Sequence, residues 1–268
     1  MDYSAAAGRL AGDRDALAGA RRLAADLGLR PAGTHFRSFG VGFLASAEGR
    51  AAFARDSVED VRAAAFLGVP AVAFHVSNAL EPVDGAGAGA PPGPRDGAGR
   101  GLSPERLAAA NAAAFREAVR VAEQEGVAVA LENHYRGFGE RAEDLRAVAA
   151  LLASPAVGFT LDSGHAVVSG QRPADLARAM GPRLLLTHLH DNDGTADTHR
   201  PAGRAGPSGA RAGPAAVEWP ALIEALRAVG YPRRNAWMLE GGTQVPGDDV
   251  EALLAAHIAA FRGMLALA

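Results

Sequence analysis

Six short apolar runs, each closing on a histidine or an acidic residue, recur along this chain with helix-forming stretches between them. The runs occupy residues 29–36, 70–76, 127–133, 158–162, 183–188 and 235–240, and they carry His35, His75, Glu132, Asp162, His188 and Glu240 at their ends. Apolar positions at helical spacing fill residues 13–27, 142–152, 173–180, 219–229 and 249–267, with further helices expected from Asp56 or Ser57 to Leu67 and from Ser103 through Ala122. Strands of this length alternating with helices indicate parallel βα units. At 268 residues and 49% hydrophobic content, the expectation is one α/β domain over residues 1–268, a (β/α)8 barrel. Six strands fall short of the eight such a barrel needs, so the first one or two strands are expected to be lacking at the N-terminus.

In a parallel barrel the carboxyl ends of the strands share one rim, so the six end residues are expected to converge on one cavity. Each taken alone has a plainer explanation, because a solvated loop often begins on a polar residue. A mixture of imidazole and carboxylate suits zinc, manganese, cobalt or iron. His165 lies three residues past Asp162, one helical turn on, and can face the same centre if the chain turns helical there. The plainer alternative is Asp162 as a helix cap with His165 on the surface. Asp197 and His199, alternate residues in a loop, are further candidate ligands. His190 is a competitor for ligation or a partner of a ligand, and Asp191 could orient one. His134 reads as an exposed loop residue that could meet substrate, and His257 as a surface residue of the last helix.

Composition removes several chemistries. The chain has no cysteine, so disulfides, thiolate sites and cysteine nucleophiles are excluded. It has no lysine either, which excludes a protein-side Schiff base. A formal charge of −3 gives no general attraction to a polyanion, and at 6% aromatic content no basic stretch is interleaved with rings. No apolar stretch is long enough to span a membrane, and the first residues lack a signal-peptide layout, so a cytoplasmic protein is expected. Residues 81–101 and 200–214, rich in Gly, Ala and Pro, read as mobile loops and candidate lids.

Leu131-Glu-Asn133, Leu161-Asp-Ser-Gly-His165, His188-Leu-His-Asp191, Asp197-Thr-His199 and Leu239-Glu240 together resemble the xylose-isomerase-like TIM-barrel superfamily. That superfamily includes sugar phosphate isomerases and epimerases and the endonuclease IV-type apurinic-site endonucleases. The resemblance implies that Glu132, Asp162, His188 and Glu240 hold one divalent metal (Mn, Zn, Co or Mg), with His165 near the substrate. The implied reaction is isomerisation or epimerisation of a sugar or sugar phosphate by proton transfer beside a carbonyl, through a metal-held enediolate, with Glu132 and Glu240 moving the proton. The endonuclease branch implies an alternative: His35, His75, His165, Asp197 and His199 join those four around three zinc ions, for phosphodiester cleavage. A small-molecule substrate is thus the expected partner, nucleic acid the lesser one, and a homo-oligomer the expected assembly.

Overall fold

The computed structural model describes residues 12–35, 40–80, 103–203, 217–232, 237–241 and 249–267. The chain groups into two compact units, residues 1–132 with 136–159, and residues 133–135 with 160–268. No helix among the described residues is long and apolar enough to cross a membrane. The 81–101 loop lies outside the described residues, as does the 200–214 loop from residue 204 onward.

In the first unit, α1 (Arg14–Asp26) begins where the Asp13 carboxylate accepts the N–H groups of Asp15 and Ala16. Helix α2 (Ala47–Leu67) is about twice as long as the sequence suggested, because Ser46, not Ser57, caps it by accepting from Gly49 N–H. Ser57 is instead fully buried inside the helix. Gly68, at φ 74°, ends α2 in the left-handed conformation that a residue without Cβ adopts cheaply. Strand β1 (Ala71–His75) follows, then α3 (Pro104–Glu125), capped by Ser103. Strand β2 (Ala128–Glu132) runs parallel to β1 and sets His75 directly opposite Glu132. Helix α4 (Ala142–Leu152) leads to β3 (Val157–Asp162), whose first three residues belong to this unit and whose last three belong to the second.

Phe43, Phe53, Phe74 and Phe115 form the core of the first unit. Phe53 stacks on Phe43 at 4.1 Å and meets Phe115 edge-on at 4.8 Å, with Phe74 5.8 Å from Phe115. These four buried rings clamp α2 and α3 onto β1. Beyond the end of β1, the buried Asn111 amide holds Ser77 at both its N–H (2.7 Å) and its C=O (2.8 Å), which fixes the backbone two residues past His75.

In the second unit β3 neighbours β4 (Leu184–His188). Helices α5 (Ser163–Val168) and α6 (Pro173–Met180) lie between them in sequence, and α7 (Trp219–Ala228) and α8 (Val250–Leu267) follow. Trp219 meets Phe261 at 5.9 Å, joining α7 to α8. The Tyr231 hydroxyl is 3.1 Å from Thr187 Oγ1 on β4, and burial pushes its pKa up to about 12.

Among the described residues, the first and last expected strands each show a single parallel bridge, Thr34 with Val72 and Leu189 with Leu239. Leu189 N–H donates to Met238 O at 3.0 Å and Glu240 N–H to Leu189 O at 3.1 Å, so residues 238–240 do lie along the extension of β4. Parallel strands alternating with helices are therefore as the sequence indicated.

Candidate metal centre and active site

Asp162 ends β3, and its carboxylate accepts His165 N–H at 2.7 Å, so the chain turns directly from strand into α5. Of the plainer alternative weighed from the sequence only half is present: Asp162 is a helix cap, but His165 is buried, at 7% exposure. Asn133 locks the same strand end. Its amide nitrogen donates to Asp162 O at 2.9 Å and its oxygen accepts Asp162 N–H at 2.8 Å.

His165 Nδ1 stands 2.9 Å from the Asn133 carbonyl, which can only accept, so Nδ1 carries the proton. Its Nε2 stands 3.1 Å from Asp197 Oδ2. His199 Nε2 approaches the same oxygen, also at 3.1 Å. An ionised carboxylate oxygen can accept an N–H from each of the two imidazoles, or share a cation with them. Burial works against charge on His199, but the Asp197 hydrogen bond and the carboxylates of Glu240, Asp197 and Asp162 outweigh it and raise its pKa to about 9. Burial likewise works against charge on Asp197, yet hydrogen bonds from His165 and His199 hold its carboxyl well below the usual range.

His188, at the end of β4, faces two carboxylates. Its Nδ1 is 3.3 Å from Glu240 Oε2 and 4.0 Å from Asp162 Oδ2. Asp162, His188 and Glu240 each offer a ligand atom, and these atoms lie within 4.8 Å of one another. In the first unit His35, His75 and Glu132 do the same. There the two imidazole Nε2 atoms stand 3.5 Å and 3.6 Å from the two Glu132 oxygens, with the His35 and His75 ring centroids 5.2 Å apart. Nitrogen and carboxylate donors without sulfur fit zinc, manganese or cobalt. The fit is strengthened by Asp197 Oδ1, which is buried and has no hydrogen-bond partner among the described residues.

Three readings of single residues change. His134 and His257 are both 2% exposed, so neither is a surface residue. Burial above all, with His190 nearby, lowers the His257 pKa to about 4. Among the described residues, the Asp191 carboxylate is bonded elsewhere than to the candidate ligands. Its oxygens accept Gly203 N–H (2.9 Å), Val217 N–H (3.2 Å), Asn192 N–H (3.0 Å) and the Trp219 indole N–H (3.0 Å), so it ties down the chain after His199. Sequence reasoning passed over Asn133 as a structural element of the site. Its signal was its place immediately after a strand-end glutamate, where an amide can bridge to the neighbouring strand end.

The family described as xylose isomerase-like TIM barrel matches residues 2–260. An uncharacterized protein of Methanocaldococcus jannaschii is 29% identical over 127 residues, a stretch that covers 45% of this chain and only 40% of that protein. Among solved structures, a D-tagatose 3-epimerase-like protein aligns with a TM-score of 0.71 at 17% identity, over 95% of this chain and 84% of its own. D-psicose 3-epimerase, crystallised in the presence of D-fructose, aligns at 0.64 and 21%, over 97% and 85%. A Thermus thermophilus protein soaked with zinc chloride aligns at 0.65 and 23%, over 97% and 86%. At these identities the structures share the fold, and the family match covers nearly the whole sequence: the chain belongs to the xylose isomerase-like TIM-barrel family.

Proposed function

We propose that this protein is a divalent-metal-dependent isomerase or epimerase of a sugar or sugar phosphate, working in the cytoplasm. The observation that supports the reading most is the convergence of Asp162, His188 and Glu240 at successive strand ends of the second unit. To these the resemblance adds Glu132 as a fourth ligand. The named sugar epimerases among the similar folds favour the same class of substrate.

A divalent ion held there supplies Lewis acidity, which makes the carbon-bound proton beside a carbonyl easier to remove. The remaining work falls to the chain. The Glu240 side chain is 36% exposed while His188 beside it is 7% exposed, so of this pair Glu240 is the side chain open to substrate. It takes the proton from carbon, and Glu132 returns one. His165, its ring held by the Asn133 carbonyl, presents Nε2 to a substrate hydroxyl in place of Asp197.

A second reading, a zinc-dependent phosphodiesterase of the endonuclease IV type, is favoured by one further observation. His35, His75 and Glu132 come together in the first unit, and His165 and His199 meet on Asp197 in the second, which is more ligand chemistry than one ion needs.

The two readings separate on metal content and on proton exchange. After stripping and reloading with zinc, the isomerase reading expects about one ion per chain. It also expects deuterium from solvent to enter the carbon beside the carbonyl of a ketose or ketose phosphate, and Glu240→Gln to abolish that exchange while leaving most of the metal bound. Three zinc ions per chain with no exchange on any sugar offered would overturn it in favour of the phosphodiesterase.

A further inference from the structure

We propose that His257, on the last helix, is a positioning residue for Glu240, clamping the backbone that carries this carboxylate. The proposal rests on the reading of Glu240 as a metal ligand. Glu240 stands on a short support: among the described residues its segment is joined to β4 through the single bridge of Leu189 with Leu239. Leu189 N–H donates to Met238 O at 3.0 Å and Glu240 N–H to Leu189 O at 3.1 Å. Two hydrogen bonds on one side leave the rest of the hold to packing.

Helix α8 supplies that packing. Leu254, His257, Phe261 and Met264 recur at intervals of three and four, so they share one face of the helix. A Cβ on Gly241 would stand 3.1 Å from His257 Nδ1 and 3.7 Å from Leu254 Cδ2, so the backbone just past Glu240 lies directly against this face. Phe261 meets Trp237 at 5.6 Å and Trp219 at 5.9 Å. Met264 reaches Gly203, on the chain that follows His199.

His257 is the polar member of this face, and it is 2% exposed. Burial keeps its ring neutral at physiological pH, with one N–H to give. That N–H goes to the Leu189 carbonyl, the same oxygen that accepts Glu240 N–H. Helix α8 and the Glu240 backbone are thus anchored on one atom. A leucine would fill this space without the cost of burying an imidazole, and Phe261 already joins the helix to both tryptophans. What the histidine adds is the donor, placed beside the residue that follows Glu240.

The test is a cobalt(II) titration of the metal-free protein at neutral pH, read by affinity and by the visible absorption of the bound ion. His257→Leu keeps the bulk and removes the donor, whereas His257→Asn and His257→Gln keep an amide N–H near the places of Nδ1 and Nε2. The leucine variant should bind cobalt about 10-fold or more weakly, with altered absorption as Glu240 shifts, and one amide variant should recover the affinity to within about threefold. Unchanged affinity and absorption in the leucine variant overturn the proposal, even if its thermal midpoint falls, because that is what a core residue alone would do. Equal weakening in all three variants overturns it as well, since the loss then follows the imidazole shape and not the donor. No cobalt bound by the unmodified protein overturns both the proposal and the reading of Glu240 on which it rests. Should the leucine variant not fold, Gly241→Ala probes the same contact from the other side by setting a methyl 3.1 Å from His257 Nδ1. The same loss of cobalt affinity is expected there, and an unaltered affinity overturns the proposal.

Discussion

The Asn133 side chain holds the Asp162 backbone at both its polar atoms, donating to the carbonyl at 2.9 Å and accepting from the N–H at 2.8 Å. All of these groups are buried. Asn133→Ala leaves two backbone groups without partners, which costs about 2–4 kcal/mol. Urea unfolding should show the lower midpoint with an unchanged slope. Because Asp162 is also a proposed ligand, zinc affinity should fall in the same variant.

Gly164 and His190 form a matched pair. Gly164→Ala drives a methyl into the His190 ring, and an overpacked core of this kind loses about 1–3 kcal/mol. His190→Ala opens the space that the methyl needs. The double variant should therefore lose less than the sum of the two single ones, and thermal or urea unfolding of the four proteins measures that coupling.

His257 predicts an acid-side loss of stability. Burial lowers its folded pKa to about 4 from an unfolded value of 6.5. Below pH 6.5 the unfolded chain takes up the proton while the folded one does not. The contribution is therefore fully present above about pH 6.5 and is lost as pH falls toward 4, amounting to about 3 kcal/mol for a shift of this size. His257→Leu removes the titrating group. Its stability should fall less steeply between those pH values than that of the unmodified protein, when both are measured free of metal.

Asp191 gathers four N–H donors, including the Trp219 indole. Asp191→Ala strands three backbone N–H groups and the indole, at a cost of about 4 kcal/mol or more. Trp219 fluorescence should shift to longer wavelength as the indole loses its buried partner. If the emission is unchanged, Asp191 does not secure this part of the chain.

Most of the element order was legible in the sequence because its signals are local. The 3.6-residue spacing marked α4 and α6 at the bounds observed. Helix α2 was read too short because an alanine-rich lead gives little periodic contrast, and the true cap, Ser46, is recognisable only by its bond to Gly49. Of the outermost expected strands the described residues show one bridge each, because apolar runs mark extended chain, whereas ladder length depends on a partner.

The sequence by itself determined that imidazoles and carboxylates stand at strand ends, since residue type and the run that precedes it are both written locally. Tertiary structure alone decided their partners: His190 on Asp162 and against Gly164, His165 between Asn133 and Asp197, and Asp191 turned away from the ligands toward Trp219. Each of these contacts joins residues some 26 to 32 positions apart, well beyond the reach of helical or strand periodicity. They form only when packed strands bring their ends together and burial leaves each polar atom to find a partner.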